Sequence, residues 1–158
     1  MPMNREPSRC EILLTRLAFH TLGRGVYKGF ADSLPVSDDA RALDFGCGMG
    51  TVAYHLAPRL PAGRLTCVDV SQRWMDACRR TLRGHSNVAF LCGDIGRLSL
   101  PAASHDLVYC HFVLHDLDEA ALERSLPALA GLLRQGGTLV FREPLSDGGA
   151  IRRIQALA

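Results

Sequence analysis

The sequence lacks long apolar runs, a marked charge of either sign, repeats and low-complexity tracts. None of its apolar stretches reaches the ~20 residues of a membrane span, and the N-terminus "MPMNREPSRCE" has no apolar signal core. The net charge of +2 indicates no strong attraction to nucleic acid or to a membrane surface. These absences are typical of a soluble globular protein, and 158 residues suit one domain with a sizeable core.

Paired cysteines are also missing. The sequence has six cysteines without a C-x-x-C pair, most of them within apolar runs: Cys10, Cys47, Cys67, Cys78, Cys92 and Cys110. Disulfide frameworks and zinc sites usually show closer spacing, so we interpret these residues as reduced thiols that mostly fill the core. We therefore expect a cytoplasmic protein.

Short apolar runs alternate with helical patterns from residue 41 onward. They predict five strands: "RALDF", "RLTCVDV", "NVAFLCGD", "HDLVYCHFV" and "TLVFREP". "TVAYHLAPRL", "SQRWMDACRRTL" and residues 118–134 predict helices, with Ser71 as an N-cap, Pro127 as a kink or restart, and "QGG" as the last helix end. This alternation predicts an α/β fold, a doubly wound parallel sheet with helices on both faces.

The first 39 residues predict a helical segment. Ser8 and Glu11 form a capping box, and the apolar residues that follow predict an amphipathic helix that ends at Gly23. "GRGVYKGFADSL" is interpreted as a turn with a short irregular or helical piece, and residues 35–39 as a loop. At the other end of the sequence, "GGAIRRIQALA" predicts the beginning of another helix.

Turns that carry acids or glycines follow the first three predicted strands. They are "DFGCGMG" from Asp44 to Gly50, then Asp69, then the pair Gly93-Asp94. The carboxyl ends of parallel strands lie at one edge of the sheet, and doubly wound sheets bind their ligands there. We therefore predict a ligand site at this edge, beside the first strand.

Two ligands fit a glycine loop at this position. A dinucleotide requires G-x-G-x-x-G, but only Gly46 and Gly48 match, because Thr51 stands at the third glycine. The carboxylate of Asp44 would also repel a pyrophosphate. S-adenosylmethionine (SAM) has no phosphate and carries a sulfonium and an ammonium group, which Asp44 would attract. Asp69 suits either ligand, because both have ribose hydroxyls.

Four stretches in order resemble the successive motifs of class I SAM-dependent methyltransferases. They are "ALDFGCGMGTVAYHLA", "CVDVSQRWM", "LCGDIGRLSLPAASHDLVYCHFVLHDL" and "LLRQGGTLVFREP", which together cover residues 40–144. The sequence is most similar to the small-molecule group that includes enzymes of ubiquinone and menaquinone biosynthesis. The resemblance implies a Rossmann-like sheet of strand order 3-2-1-4-5, SAM as cofactor, and methyl transfer to a small molecule.

The resemblance also implies cofactor contacts for the glycine loop and for the second strand. The backbone of Gly46, Cys47 and Gly48 would approach the methionine part of SAM. Asp44 would help to hold the ammonium group, directly or through water. Asp69 would accept hydrogen bonds from both ribose hydroxyls.

Further implied contacts surround the adenine. Val70 and Met75 would pack on the ring, whereas Trp74 is expected to pack within the protein. The adenine amine would face Asp94 in the Gly93-Asp94 turn. The backbone of Ile95 would contact the ring edge.

The end of the fourth strand carries histidines. By the same resemblance, His111 and Phe112 would lie beside the sulfonium. The spacing of His111 and His115 crosses a strand end and no third ligand is evident, so we expect no metal site. His115 with Asp116 is an alternative as a base oriented by an acid, and Tyr27 as a cover for the cofactor. No residue is identified as catalytic.

The family usually continues past the fifth strand with a helix and an antiparallel strand pair. This sequence stops at residue 158, so we expect a truncated or short member, with an uncovered strand edge that favours a homodimer. The predicted single domain comprises an N-terminal helical cap (1–39), a cofactor-binding core (40–144) and the start of a helix (145–158). A SAM-binding module without turnover and an NAD(P)-binding oxidoreductase are the alternative functions.

Overall fold

The structure, a computed structural model, describes residues 6–144, so the helix expected over residues 145–158 lies outside the described part. A parallel five-stranded sheet of order β3-β2-β1-β4-β5 forms its centre. Its strands are β1 (Arg41–Phe45), β2 (Arg64–Asp69), β3 (Val88–Cys92), β4 (His105–His111) and β5 (Leu133–Arg142). This arrangement confirms the predicted fold class and strand order.

Residues 6–144 include five α-helices, three of which begin after a polar residue that caps them. The five helices are α1 (Arg9–Ala18), α2 (Arg24–Ser33), α3 (Thr51–Leu56), α4 (Gln72–Thr81) and α5 (Glu119–Leu132). The hydroxyls of Ser8 and Ser71 and the carboxylate of Asp118 accept hydrogen bonds from backbone N–H groups at the starts of α1, α4 and α5. None of the described helices is both long and apolar enough to cross a bilayer.

The strands are apolar on both faces, as a sheet covered by helices requires. Alternate residues of β4 show this: Leu107 and Tyr109 belong to the core beneath α2, α3 and α4, whereas Val108 and Cys110 belong to the core beneath α5. All four are fully buried. The two cores cover both faces of the sheet, and its carboxyl edge remains as the place where loops can form a site.

The first helix does not end at Gly23, which corrects the prediction. Residues 9–33 are helical throughout, with a π-helical turn at Phe19–Gly23 between α1 and α2. A Cβ built at Gly23 would lie 2.7 Å from the ring of Tyr27, so the glycine permits close packing instead of ending the helix. Phe30 and Ala31 of α2 are buried in the core, and this tertiary packing outweighs the low helix propensity of glycine.

The start of β5 and the course of α5 also differ from the prediction. Helix α5 continues through Pro127 as one helix, and β5 follows it immediately at Leu133. The "QGG" segment, expected as the helix end, lies inside β5. His105 of β4 pairs with Leu133, whereas Leu107, two residues further along β4, pairs with Thr138. The residues between Leu133 and Thr138 therefore form an irregularity within β5 and not a separate turn.

Two glycines outside the site provide a test of these packing relations. We predict that Gly29→Ala raises the free energy of unfolding by about 1 kcal/mol, because Gly29 lies in α2 and an added Cβ meets nothing within 4 Å. Gly63→Ala should lower it by about 2 kcal/mol or more, because its Cβ would lie 2.2 Å from the carbonyl oxygen of Ala40. Urea unfolding measures both values. Equal effects of the two substitutions would contradict the described packing.

Candidate functional site

A cleft of about 350 Å³ opens at the carboxyl ends of β1, β2 and β4, where the strand order reverses. Its volume is within the range of small-molecule sites. The first two helices, the glycine loop, the ends of β2 and β3 and the segment after β4 all contribute. The lining residues are Glu11, Thr15, Tyr27, Phe45, Gly46, Cys47, Gly48, Met49, Thr51, Val68, Asp69, Val70, Ser71, Trp74, Gly93, His111, Phe112, Val113, Asp116 and Leu117.

The glycine loop brings backbone to the wall of the cleft. Gly46 and Gly48 have φ angles of +69° and +52°, which other residues rarely adopt. A Cβ at Gly46 would lie 2.6 Å from the side chain of Val113, whereas a Cβ at Gly48 would meet nothing within 4 Å. The first glycine is therefore needed for packing, and the second leaves the backbone open toward the cleft.

Asp69 connects the parts of the cleft. Its Oδ2 accepts a hydrogen bond from the Gly48 N–H at 2.9 Å, and its Oδ1 accepts one from the Ser71 N–H at 2.9 Å. Burial raises the pKa of this carboxyl, and the two backbone hydrogen bonds oppose that shift. Each oxygen can accept a further hydrogen bond. Asp69 can therefore bind ligand hydroxyls without releasing the loop.

The side chain of Asp44, expected to help to hold the ammonium group of SAM, does not reach the surface of the cleft. The side chain is 3% exposed and does not line the cleft. In the sheet, Asp44 lies between Cys67 of β2 and Tyr109 of β4. Burial raises the pKa of Asp44 well above its ordinary value. In the free protein, this buried position therefore favours the neutral carboxyl.

The end of β4 forms an aromatic wall. The ring centroid of His111 lies 4.2 Å from that of Phe112, 4.8 Å from Phe30 and 5.4 Å from Tyr27. Burial, with the nearby charge of Arg142, lowers the pKa of His111 to about 4. The imidazole is consequently neutral near neutral pH. Phe112 has a φ of +59°, a strained value that is more frequent at functional sites.

Four of the expected cofactor residues do not line the cleft: Asp44, Met75, Asp94 and Ile95. Met75 is fully buried because it shares one face of α4 with Cys78 and Leu82, and this face lies against the sheet. Trp74, expected to pack inside, lines the cleft instead. Asp94 Oδ1 accepts from the Gly96 N–H at 2.9 Å, which is an Asx turn, and Ile95 is buried in the core beneath α5.

Glu143 is a polar residue of this edge that the sequence analysis missed. Its side chain is almost fully buried, and the carboxylate accepts hydrogen bonds from the N–H groups of Val113 and Leu114. It also forms a hydrogen bond of 2.6 Å with His115 Nδ1. Asp116, the expected partner of His115, is more distant, at 3.7 Å from its Nε2. The sequence did carry a signal, because Glu143 is an acid near the carboxyl end of the last predicted strand, as Asp69 is in the second.

Glu6 is a second missed residue, in contact with Ser71 of the lining. Its carboxylate accepts hydrogen bonds from the Ser71 hydroxyl at 2.8 Å and from the N–H groups of Gln72 and Arg73. It therefore adds a negative charge at the start of α4, where free N–H groups favour anions. No motif marks this contact, because Glu6 and Ser71 are 65 residues apart.

The glycine loop, the acid at the end of β2 and the aromatic wall define a Rossmann-like domain built for a nucleoside-containing cofactor. Comparison with known proteins agrees with this class. A family profile described as "Methyltransferase domain" matches residues 42–137. The chain belongs to the class I SAM-dependent methyltransferases.

Similar proteins differ in what their names say they methylate. The chain is 35% identical to a trans-aconitate 2-methyltransferase of Azoarcus sp., over 70% of this chain and 42% of the relative. It is 32% identical to the tRNA N(3)-methylcytidine methyltransferase trm141 of Schizosaccharomyces pombe, over 74% of this chain and 48% of the relative. The chain thus spans less than half the length of these two relatives.

The fold is shared with solved methyltransferase structures. Phosphoethanolamine N-methyltransferase 1 of Haemonchus contortus, in complex with phosphoethanolamine and S-adenosylhomocysteine, superimposes with a TM-score of 0.71. The match has 22% identity and covers 78% of this chain and 26% of that chain. At this identity the likeness concerns the fold alone.

The buried carboxyl of Asp44 provides a pH test. Because the pKa of Asp44 is raised in the folded state, its contribution to stability is fully present below the unfolded pKa and is lost as the pH rises through the folded pKa. We predict that Asp44→Asn shows a smaller decrease in the free energy of unfolding between acidic and neutral pH. Urea unfolding across that range measures it, with Asp76→Asn at an exposed position of α4 as control. An unchanged slope in Asp44→Asn would contradict the assignment.

Proposed function

We propose that this chain binds SAM in the cleft and transfers its methyl group to a small-molecule acceptor. The observation that best supports this proposal is the charge of the cleft. Among the described residues, its lining contains three carboxylates, Glu11, Asp69 and Asp116, and neither lysine nor arginine. A cofactor with two cationic groups and no phosphate suits this lining, whereas a pyrophosphate would meet repulsion without a compensating cation.

The residues that line the cleft support a definite orientation of the cofactor. We place the ribose at Asp69, where two carboxylate oxygens remain available, and the methionine part at Gly46, Cys47 and Gly48. Val70 and Trp74 extend the wall beside Asp69 and would hold the adenine.

His111 and its aromatic neighbours suit the sulfonium end. A protonated histidine would repel a sulfonium, but the lowered pKa keeps His111 neutral. The rings of Tyr27 and Phe112 can attract a cation through their faces. Bound SAM would supply an already activated methyl group. The chain would then align the acceptor and exclude water.

Roles for the four residues outside the lining are weaker proposals. Asp44 lies beneath the loop and would act on the ammonium from there or through water, after losing its proton. Asp94 and Ile95 would contribute at the adenine edge only if their turn moved. We propose no adenine contact for Met75, because Cys78 and the sheet surround it.

The acceptor is proposed from the cleft rather than from the relatives. Three carboxylates without a basic side chain in the described lining would repel a polyphosphate backbone, which favours a small molecule over nucleic acid. We name no catalytic residue. If the acceptor must lose a proton, His115 is the side chain to test, because Glu143 orients its Nδ1.

The organisation of the chain is proposed on the same basis. We infer that the segment before β1 acts as a helical cap over the core, since Glu11, Thr15 and Tyr27 of α1 and α2 line the cleft. A cytoplasmic location is supported by the cysteines, all six of which are free thiols.

Ligand titration tests the cofactor proposal. By calorimetry we expect S-adenosylhomocysteine to bind, and Asp69→Ala to weaken its binding by more than about 1 kcal/mol because charge-assisted hydrogen bonds to the ribose are lost. Asp76→Ala, at an exposed position of α4, is the matched control. Far-UV circular dichroism checks that Asp69→Ala is folded. Unchanged affinity in Asp69→Ala would remove this residue from the site.

Two further measurements separate the alternative functions. Tight binding of NADH without binding of S-adenosylhomocysteine would replace the proposal with a nucleotide-dependent oxidoreductase. A panel of small-molecule acceptors, followed by the release of S-adenosylhomocysteine from SAM, distinguishes an enzyme from a binding module. Binding without turnover on any acceptor would favour the module.

We also propose a homodimer through β5. Within the described residues this strand is an edge of the sheet, and Phe141 on it is 38% exposed. We predict a dimer by size-exclusion chromatography with light scattering, and a shift toward monomer in Phe141→Lys. Leu13→Lys, at an exposed apolar position of α1, is the control. A monomeric chain at high concentration would exclude this pairing.

A further inference from the structure

Three of the six cysteine thiols converge beneath the glycine loop. The Sγ atoms of Cys47, Cys67 and Cys78 all lie within 4.8 Å of one another, and those of Cys47 and Cys78 are 3.8 Å apart. They come from three elements that are distant in sequence: the loop after β1, strand β2 and helix α4. The proposed methyl transfer assigns no role to these thiols as a group.

The spacing of the sulfurs agrees with the coordination of a single ion. Around a metal with bonds of about 2.3 Å to sulfur, three thiolates in a trigonal arrangement are about 4 Å apart. Among the described residues, no histidine or carboxylate converges with all three sulfurs. The cluster thus offers three soft ligands and lacks the fourth that structural zinc requires. Soft thiolates and a low coordination number favour Cu(I).

The surroundings provide both room and a route for an ion. Cys67 and Cys78 are fully buried, whereas Cys47 is 7% exposed and lines the cleft, so an ion could pass from the cleft to the cluster. A Cβ at Gly50 would lie 2.8 Å from the Sγ of Cys78, so the loop needs glycine there to leave space for this sulfur.

We propose that Cys47, Cys67 and Cys78 form a three-coordinate binding site for Cu(I). Binding replaces one S–H bond by one Cu–S bond at each residue and releases the three protons to solvent, without oxidation of copper or sulfur. The ion would connect the glycine loop, β2 and α4. The site does not depend on the proposed methyl transfer, because its ligands are thiols and its measurement needs neither cofactor nor acceptor.

Copper titration tests this proposal on the full chain. The exposed thiols are first removed in Cys10→Ala/Cys92→Ala, to eliminate binding at the surface. Under reducing, anaerobic conditions, this parent should take one Cu(I) per chain from a chromogenic chelator. Adding Cys67→Ala should weaken the binding by more than about tenfold. Adding Cys110→Ala, a matched buried cysteine on the opposite face of the sheet, should leave it unchanged.

Copper K-edge absorption on the parent gives a readout that does not depend on any further variant. We expect a shell of three sulfur atoms around Cu(I). A shell with fewer than three sulfurs would overturn the proposal, and so would equal binding in the parent and in Cys67→Ala. Circular dichroism establishes that the variants are folded. If Cys67→Ala does not fold, the absorption result on the parent decides.

Discussion

Asp69 is the side chain on which the geometry of the cleft depends most directly. Its two oxygens accept hydrogen bonds from the backbone of Gly48 and Ser71, and so connect the end of β2 with the glycine loop and the start of α4. Ser71 extends the connection, because its hydroxyl caps α4 and donates to Glu6. All these contacts lie within the protein. The loop is therefore preorganised before a ligand binds, which reduces the entropy that binding must overcome.

The chain's local patterns predicted most of the fold. Strands that are apolar on both faces appear as continuous runs, and helix starts appear as polar caps such as Ser8 and Ser71, so both were found. The predictions that were wrong concern segments in which local preference competes with tertiary packing. Gly23 resembles a helix end in isolation, but the ring of Tyr27 needs the space that a side chain would occupy. The start of β5 depends on its pairing with β4, which no local pattern in residues 133–137 reveals.

The site was predicted in position but only partly in its residues. Motif spacing located the loop and Asp69, because strand ends meet at one edge. It could not reveal which way a side chain points or how deeply it is buried. Met75 and Trp74 are neighbours, and only the phase of α4 against the sheet decides which of them reaches the cleft. Burial likewise favours a neutral Asp44 and a neutral His111, so the charges in and beneath the site differ from those that the residue types alone suggest.

The π-helical turn at Phe19–Gly23 has a consequence for length variation between related chains. Such a turn contains one residue more than a turn of α-helix, and each residue advances a helix by about 100°. Loss of one residue here would leave an unbroken helix but would rotate α1 relative to α2. Glu11 and Thr15 would then turn away from the side on which Tyr27 faces the cleft. A single deletion in this segment would thus change which side chains of α1 lie over the cleft, without altering any residue of the sheet.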